Sequence, residues 1–107
     1  MEKFPLTIIS PQGKIFSDQV TSVVVPGAHG SLGIWADHAC MVTQLKKGII
    51  KVKSKDVNKL YAVDSGVIEV TPQHEVIALV DHAVECPGTA EANEALQKFL
   101  TTPKQST

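Results

Sequence analysis

Apolar and polar residues alternate in short runs along most of this chain, and turn formers cut the runs at close intervals. "PLTIIS" runs to a turn at Pro11–Gly13, and "KIFS" follows it. "QVTSVVVP" stops at Pro26-Gly27, and "CMVTQL" stops at Lys46-Lys47-Gly48. "IIKVKS" ends in the polar "KDVNK", and "LYAVDSG", "VIEVT" and "EVIALV" complete the series. In "GIIKVKS", Ile50 and Val52 alternate with Lys51 and Lys53, the period-two pattern of a strand with one wet face. Ile68 and Val70 share one face of "VIEVT" in the same way, with Glu69 on the other. Many short strands with no helical pattern between them predict an antiparallel sandwich or barrel. The character changes after Val84, where Glu85–Gly88 reads as a breaker. Ala92, Ala95, Leu96, Phe99 and Leu100 then fall at i, i+3, i+4, i+7 and i+8, one apolar stripe. Glu91 in the first turn and Lys98 in the last each oppose the helix dipole, and Thr101–Pro103 ends the segment. A helix of about three turns is not stable alone, so its stripe must pack on the sandwich or on a partner.

Composition narrows the function classes. With 107 residues and 43% hydrophobic content the chain suits one domain with a real core. The formal net charge is -1, all ten basic residues are lysines, and there is one Trp and one Tyr. Without arginine forks or stacking aromatics, nucleic-acid binding is not expected. The longest apolar runs, such as Val76–Val80, fall far short of a membrane span, and "MEKFPLTIIS" does not read as a secretory signal. Cys40 and Cys86 lie far apart in no CxxC unit and read as free thiols of a reducing compartment.

The stretch "VPGAHGSLGIWADHA" concentrates the candidate chemistry. Gly27, Gly30 and Gly33 have neither the dinucleotide spacing nor a Walker loop's Lys, so they read as tight turns needing positive φ rather than a phosphate cradle. Gly48 and Gly66 belong with them as turn glycines. Asp37, His38 and Cys40, with His29, His74 and His82 elsewhere, lack the paired spacing of a zinc site, and no metal or other cofactor is expected. His38 and Cys40 would share a strand face, yet no orienting third member or oxyanion hole accompanies them. Ala39, Met41 and Val42 make the setting of Cys40 that of a buried, inert thiol. The carboxylate pairs Asp64/Glu69 and Asp81/Glu85 are spaced like ordinary surface charges. What remains is a docking surface presenting Trp35 and His38, tryptophan being enriched at interface anchors. Trp35 as plain core stays open beside it.

An ordered string gives these residues a context. Val20, Val23, Val25, Gly27, Gly30, Leu32, Gly33, Ile34, His38, Ala39, Thr43, Leu45, Lys46 and Gly48 reproduce V-x-x-V-x-V-x-G-x-x-G-x-L-G-I, then H-A and an apolar-Thr stretch to K-x-G. Together with "LTIISPQGKIFSDQV" and "DSGVIEVTPQHEVIALVDHAVE", they closely resemble the epsilon subunit of F-type ATP synthases, called delta in mitochondria. The resemblance covers about residues 4 to 86. It implies a ten-stranded antiparallel β-sandwich of two five-stranded sheets over residues 1–86. Residues 87–107 would be a short helix, about 89–100, and a tail. It further implies a non-catalytic rotor subunit that packs one face on gamma and rests its loops on the polar loops of the membrane c-ring. Alpha and beta subunits would be indirect partners, and the membrane would be reached only through the complex. The expected place is the cytoplasmic face of a bacterial inner membrane, or an organellar equivalent. The missing transit peptide favours a bacterium.

Ring contacts of the family map onto Ser31, Leu32, Gly33 and His38, and Trp35 and Asp37 join them as neighbours. Ser31 stands where the family often has Glu, and "ADHA" replaces "PGHA". Asp37 is expected to restore the missing negative charge along the same loop. No second C-terminal helix is expected after the first, and the family's Arg-containing ATP-binding pattern finds no match in these residues. Little or no inhibition by helix extension is therefore expected, and the helix stripe should pack back on the sandwich. A small ligand-binding jelly roll is the alternative function, and an enzyme using Cys40 and His38 comes third.

Overall fold

The computed structural model describes residues 2–55 and 58–101. The ten strands are β1 (Phe4–Ser10), β2 (Gly13–Val20), β3 (Ser22–Gly27), β4 (Gly30–Ile34), β5 (Met41–Leu45), β6 (Gly48–Lys53), β7 (Asn58–Val63), β8 (Gly66–Val70), β9 (Val76–Val80) and β10 (Ala83–Cys86). The helix α1 (Thr89–Thr101) follows them. Pairing runs β10-β7-β6-β3-β5-β8-β9-β1-β2, with β4 attached to β3.

This path folds into two five-stranded layers. One is β10-β7-β6-β3-β4 and the other is β5-β8-β9-β1-β2, and they are joined where Gly27 pairs with Leu45. Backbone bonds from Ala28 N–H to the Gln44 carbonyl (3.0 Å) and from Lys46 N–H to the Pro26 carbonyl (2.9 Å) fasten that joint. The expected mainly β sandwich with one short helix is what forms. The expectation of antiparallel pairing throughout is corrected at one place, where β1 pairs with β9 in parallel.

Alternation builds the core from both layers. Phe4, Leu6 and Ile8 of β1, Val23 and Val25 of β3, Ile50 and Val52 of β6, and Tyr61 and Val63 of β7 all point inward and are buried. Phe16 of β2 meets Tyr61 edge-on with ring centroids 6.1 Å apart, bridging the layers near their open edges. Two strands escape the sequence pattern. The glycine stretch holds β4, and "AVEC" forms β10 before the break at Pro87-Gly88. The strand read as "KIFS" also runs on to Val20.

The helix starts with the Gly88 carbonyl accepting the Ala92 N–H at 3.0 Å. Ala92, Ala95, Leu96 and Phe99 pack on Ala62 of β7, Cys86 of β10 and Ile49 of β6, a second small core outside the first layer. The stripe therefore packs back on the sandwich, as expected. Leu100, its last member, lies outside the described side chains, and the tail and Asp56-Val57 lie outside the described residues.

Candidate functional site

The two glycine-bounded edges of "VPGAHGSLGIWADHA" are a hairpin, β3 turning at Ala28-His29 into β4. Of its three glycines, Gly30 alone has a positive φ, 131°. Gly27 and Gly33 serve close approach instead. A Cβ on Gly27 would meet the Gly30 carbonyl at 2.8 Å, and one on Gly33 would meet the Trp35 ring at 2.7 Å. Gly33 is thus a strand residue and not a turn glycine, which corrects the sequence reading. Gly48 and Gly66 open β6 and β8, and a Cβ there would run into Pro26 and into the Leu79 backbone.

Among the described residues β4 pairs with β3 alone, so it is a free edge. Leu32 and Ile34 turn to the core, and Ser31 and Gly33 turn outward. The Trp35 ring folds back across Gly33 and remains 53% exposed, which answers the open question about Trp35: it is a surface ring held by its own strand. The chain then turns, with the His38 N–H donating to the Trp35 carbonyl at 3.1 Å. His38 is half-buried, its Nδ1 lies 2.9 Å from the Ala39 carbonyl, and Asp37 is exposed. Asp37 lines a depression of about 340 Å³ that also touches Lys3 and His74.

The six expected contact residues therefore form a strip along one edge rather than a single loop. Ser31 to Trp35 spans about 13 Å of strand, with Asp37 and His38 beyond its far end. Leu32 faces the wrong way for contact. Asp37 is not on the loop of Ser31, so its charge stands in for a carboxylate at the Ser31 position only for a partner that reaches both ends of β4.

No chemistry assembles here. Cys40 is exposed, contrary to the expectation of a buried thiol, because it lies in the connection before β5 begins at Met41. Cys86 is buried, and both thiols are free. Among the described residues no group of three or more His, Cys, Asp or Glu side chains could hold a metal.

A second surface is assembled by strand register and was not among the expected sites. On the outer face of the second layer, Gln44, Val67, Leu79 and Ile9 stand in one cross-strand row, and Val42, Glu69, Ile77 and Thr7 in the next. Val42 is 67% exposed, Leu79 51% and Val67 37%, and Ile9 and Ile77 are half-buried between them. The alternating signal was present in "VIEVT" and "EVIALV". Apolar residues at both phases of "EVIALV" mark a strand with two dry faces, which is how such a surface is read.

Comparison with known proteins fits this layout. Residues 3–86 match the family model of the ATP synthase delta/epsilon chain beta-sandwich domain. The ATP synthase epsilon chain of Campylobacter curvus is 38% identical over 96 residues, which is 89% of this chain and 74% of that one. The epsilon chain of Sulfurimonas denitrificans is 34% identical over 106 residues, 98% of this chain and 79% of that one. In fold, a chain of the Euglena gracilis mitochondrial ATP synthase OSCP/F1/c-ring assembly matches with a TM-score of 0.74 at 22% identity. That match covers 96% of this chain and 69% of the other.

Proposed function

Because this chain belongs to the delta/epsilon chain family of ATP synthases through its β-sandwich domain, we propose that it is the epsilon subunit of a rotary central stalk. It docks gamma to the c-ring and couples ion translocation to ATP synthesis and hydrolysis. The role is non-catalytic, as the family's is.

The observation that carries the reading is the exposed apolar face of the second layer, Val42, Val67 and Leu79 with Ile9 and Ile77. Apolar side chains left open in such a cluster cost free energy in water unless something covers them, and gamma is the proposed cover. The free edge of β4, with Ser31, Gly33, Trp35 and then Asp37 and His38, is the proposed seat for the ring's polar loops. A sandwich with an apolar face and a polar edge joins two partners at once, which is what transmitting torque requires. Residues 1–86 would carry this docking and 87–107 would add the helix. With its stripe already held by Ala62 and Cys86, the helix would exert little inhibition. Alpha and beta subunits would be reached through gamma, and the membrane through the complex, on the cytoplasmic face of a bacterial inner membrane. A tagged chain expressed in its own host should recover gamma, alpha, beta and the ring from solubilised membranes. Recovery of none of them from intact complexes would overturn the reading.

A further inference from the structure

The outer face of the first layer is only half covered. The helix α1 sits over β7, β10 and Ile49 of β6. Beyond it two cross-strand rows are open, Gly33–Val24–Lys51–Leu60 and Ser22–Lys53–Asn58. Lys51 and Lys53 are two apart on β6, so both stand on this face, and both are exposed. Neither ammonium has a hydrogen-bond or ion-pair partner among the described residues, whereas Lys59 pairs with Glu85 at 3.4 Å. Val24 and Leu60 flank Lys51 and are half-buried, and the Trp35 ring lies at the margin over Gly33.

The stretch of chain that carries these two lysines is basic. Six of the ten lysines lie between Lys46 and Lys59, together with one of the eleven acidic residues. The neighbouring half of the face shows what it accepts. There an amphipathic helix lays Ala92, Leu96 and Phe99 on the sheet and leaves Glu91 and Glu94 exposed. The open half is about three strands wide, roughly 10–14 Å, against about 10–12 Å for a helix with its side chains.

We infer that this open half is a docking site for an acidic amphipathic helix of a partner protein. Its apolar stripe would rest on Val24 and Leu60 and its carboxylates on Lys51 and Lys53. The site goes beyond the central-stalk reading and stands without it, since sheet, charges and reporter belong to this chain alone.

Its test uses the full chain and one synthetic helix, with Leu at i, i+3, i+4 and i+7 and Glu at the outward positions. Titration should give saturable binding with a change in emission from Trp35, the sole tryptophan, and affinity should fall as salt rises. Lys51→Glu/Lys53→Glu should weaken binding at least about tenfold, and Lys51→Gln/Lys53→Gln by less. Lys14→Glu, on β2 of the other layer, should leave it unchanged. Both lysines are exposed, so the urea midpoint of the variants should match the parent. If the Glu pair does not fold, the Gln pair carries the test. Absence of saturable binding, or equal binding by the double variants, or equal loss from Lys14→Glu, overturns the site. Sedimentation with phosphatidylglycerol vesicles without peptide binding overturns it too, in favour of a membrane surface.

Discussion

Tyr61 gives the structure its sharpest stability test. It is 1% exposed, faces the core from β7 opposite Ile50, and its hydroxyl has no hydrogen-bond partner among the described residues. A buried hydroxyl without a partner costs about 1–3 kcal/mol against the same ring without it. Tyr61→Phe removes that cost and keeps the edge-on contact with Phe16, so the variant should be about 1–2 kcal/mol more stable at neutral pH. Burial, and after it the Glu85 carboxylate, pushes the phenol pKa from 10.0 up to about 12. The raised value means the folded state holds the proton that the unfolded chain releases. Stability from this group is therefore full below about pH 10 and falls as pH rises toward 12, by about 1.4 kcal/mol per pH unit. Urea unfolding of parent and variant from about pH 7 to 11.5 reads both effects, and the lysines cancel in the difference. The gap between the two should widen only above about pH 10, at unchanged m. Parallel curves, or a variant less stable than the parent at neutral pH, would refute the account of Tyr61.

Two further outcomes follow from the packing. Gly66→Ala places a Cβ against the Leu79 carbonyl and 2.9 Å from the Val80 Cα. Both atoms are backbone of β9, which yields little, so urea unfolding should show a loss of about 2–3 kcal/mol or more. Phe99→Ala removes a ring from the small core under α1 and its edge contact with His82 at 5.7 Å. Hydrogen exchange should show α1 losing protection while the amides of β1 and β6 keep theirs.

Most strands were legible because one face of each is wet. The alternation of Ile50 and Val52 with Lys51 and Lys53 gives β6 at once, and the helical stripe from Ala92 to Phe99 gives α1. The strand β4 was hidden because Gly33 within it, like Gly27 at the end of β3, looks like a turn residue in a sequence. In the fold they make room for the Gly30 carbonyl and the Trp35 ring, a need that arises only from neighbours brought together by pairing. The strand β10 was hidden because it is four residues ending at a Pro-Gly break, and pairing with β7 rather than pattern makes it a strand. The apolar outer face was missed for a related reason. Val67, Leu79 and Ile9 come from three strands, and only register aligns them.

The central claim is that the outer face of the second layer holds gamma. It is tested most directly by measuring the affinity of purified gamma from the same host for the parent chain and for Val67→Glu/Leu79→Glu. Both positions are exposed, so the fold should tolerate the change. The account predicts tight binding by the parent and a loss of at least about tenfold in the variant, as expected when charge enters an apolar anchor. Equal binding by the two, or no binding by the parent, would contradict it.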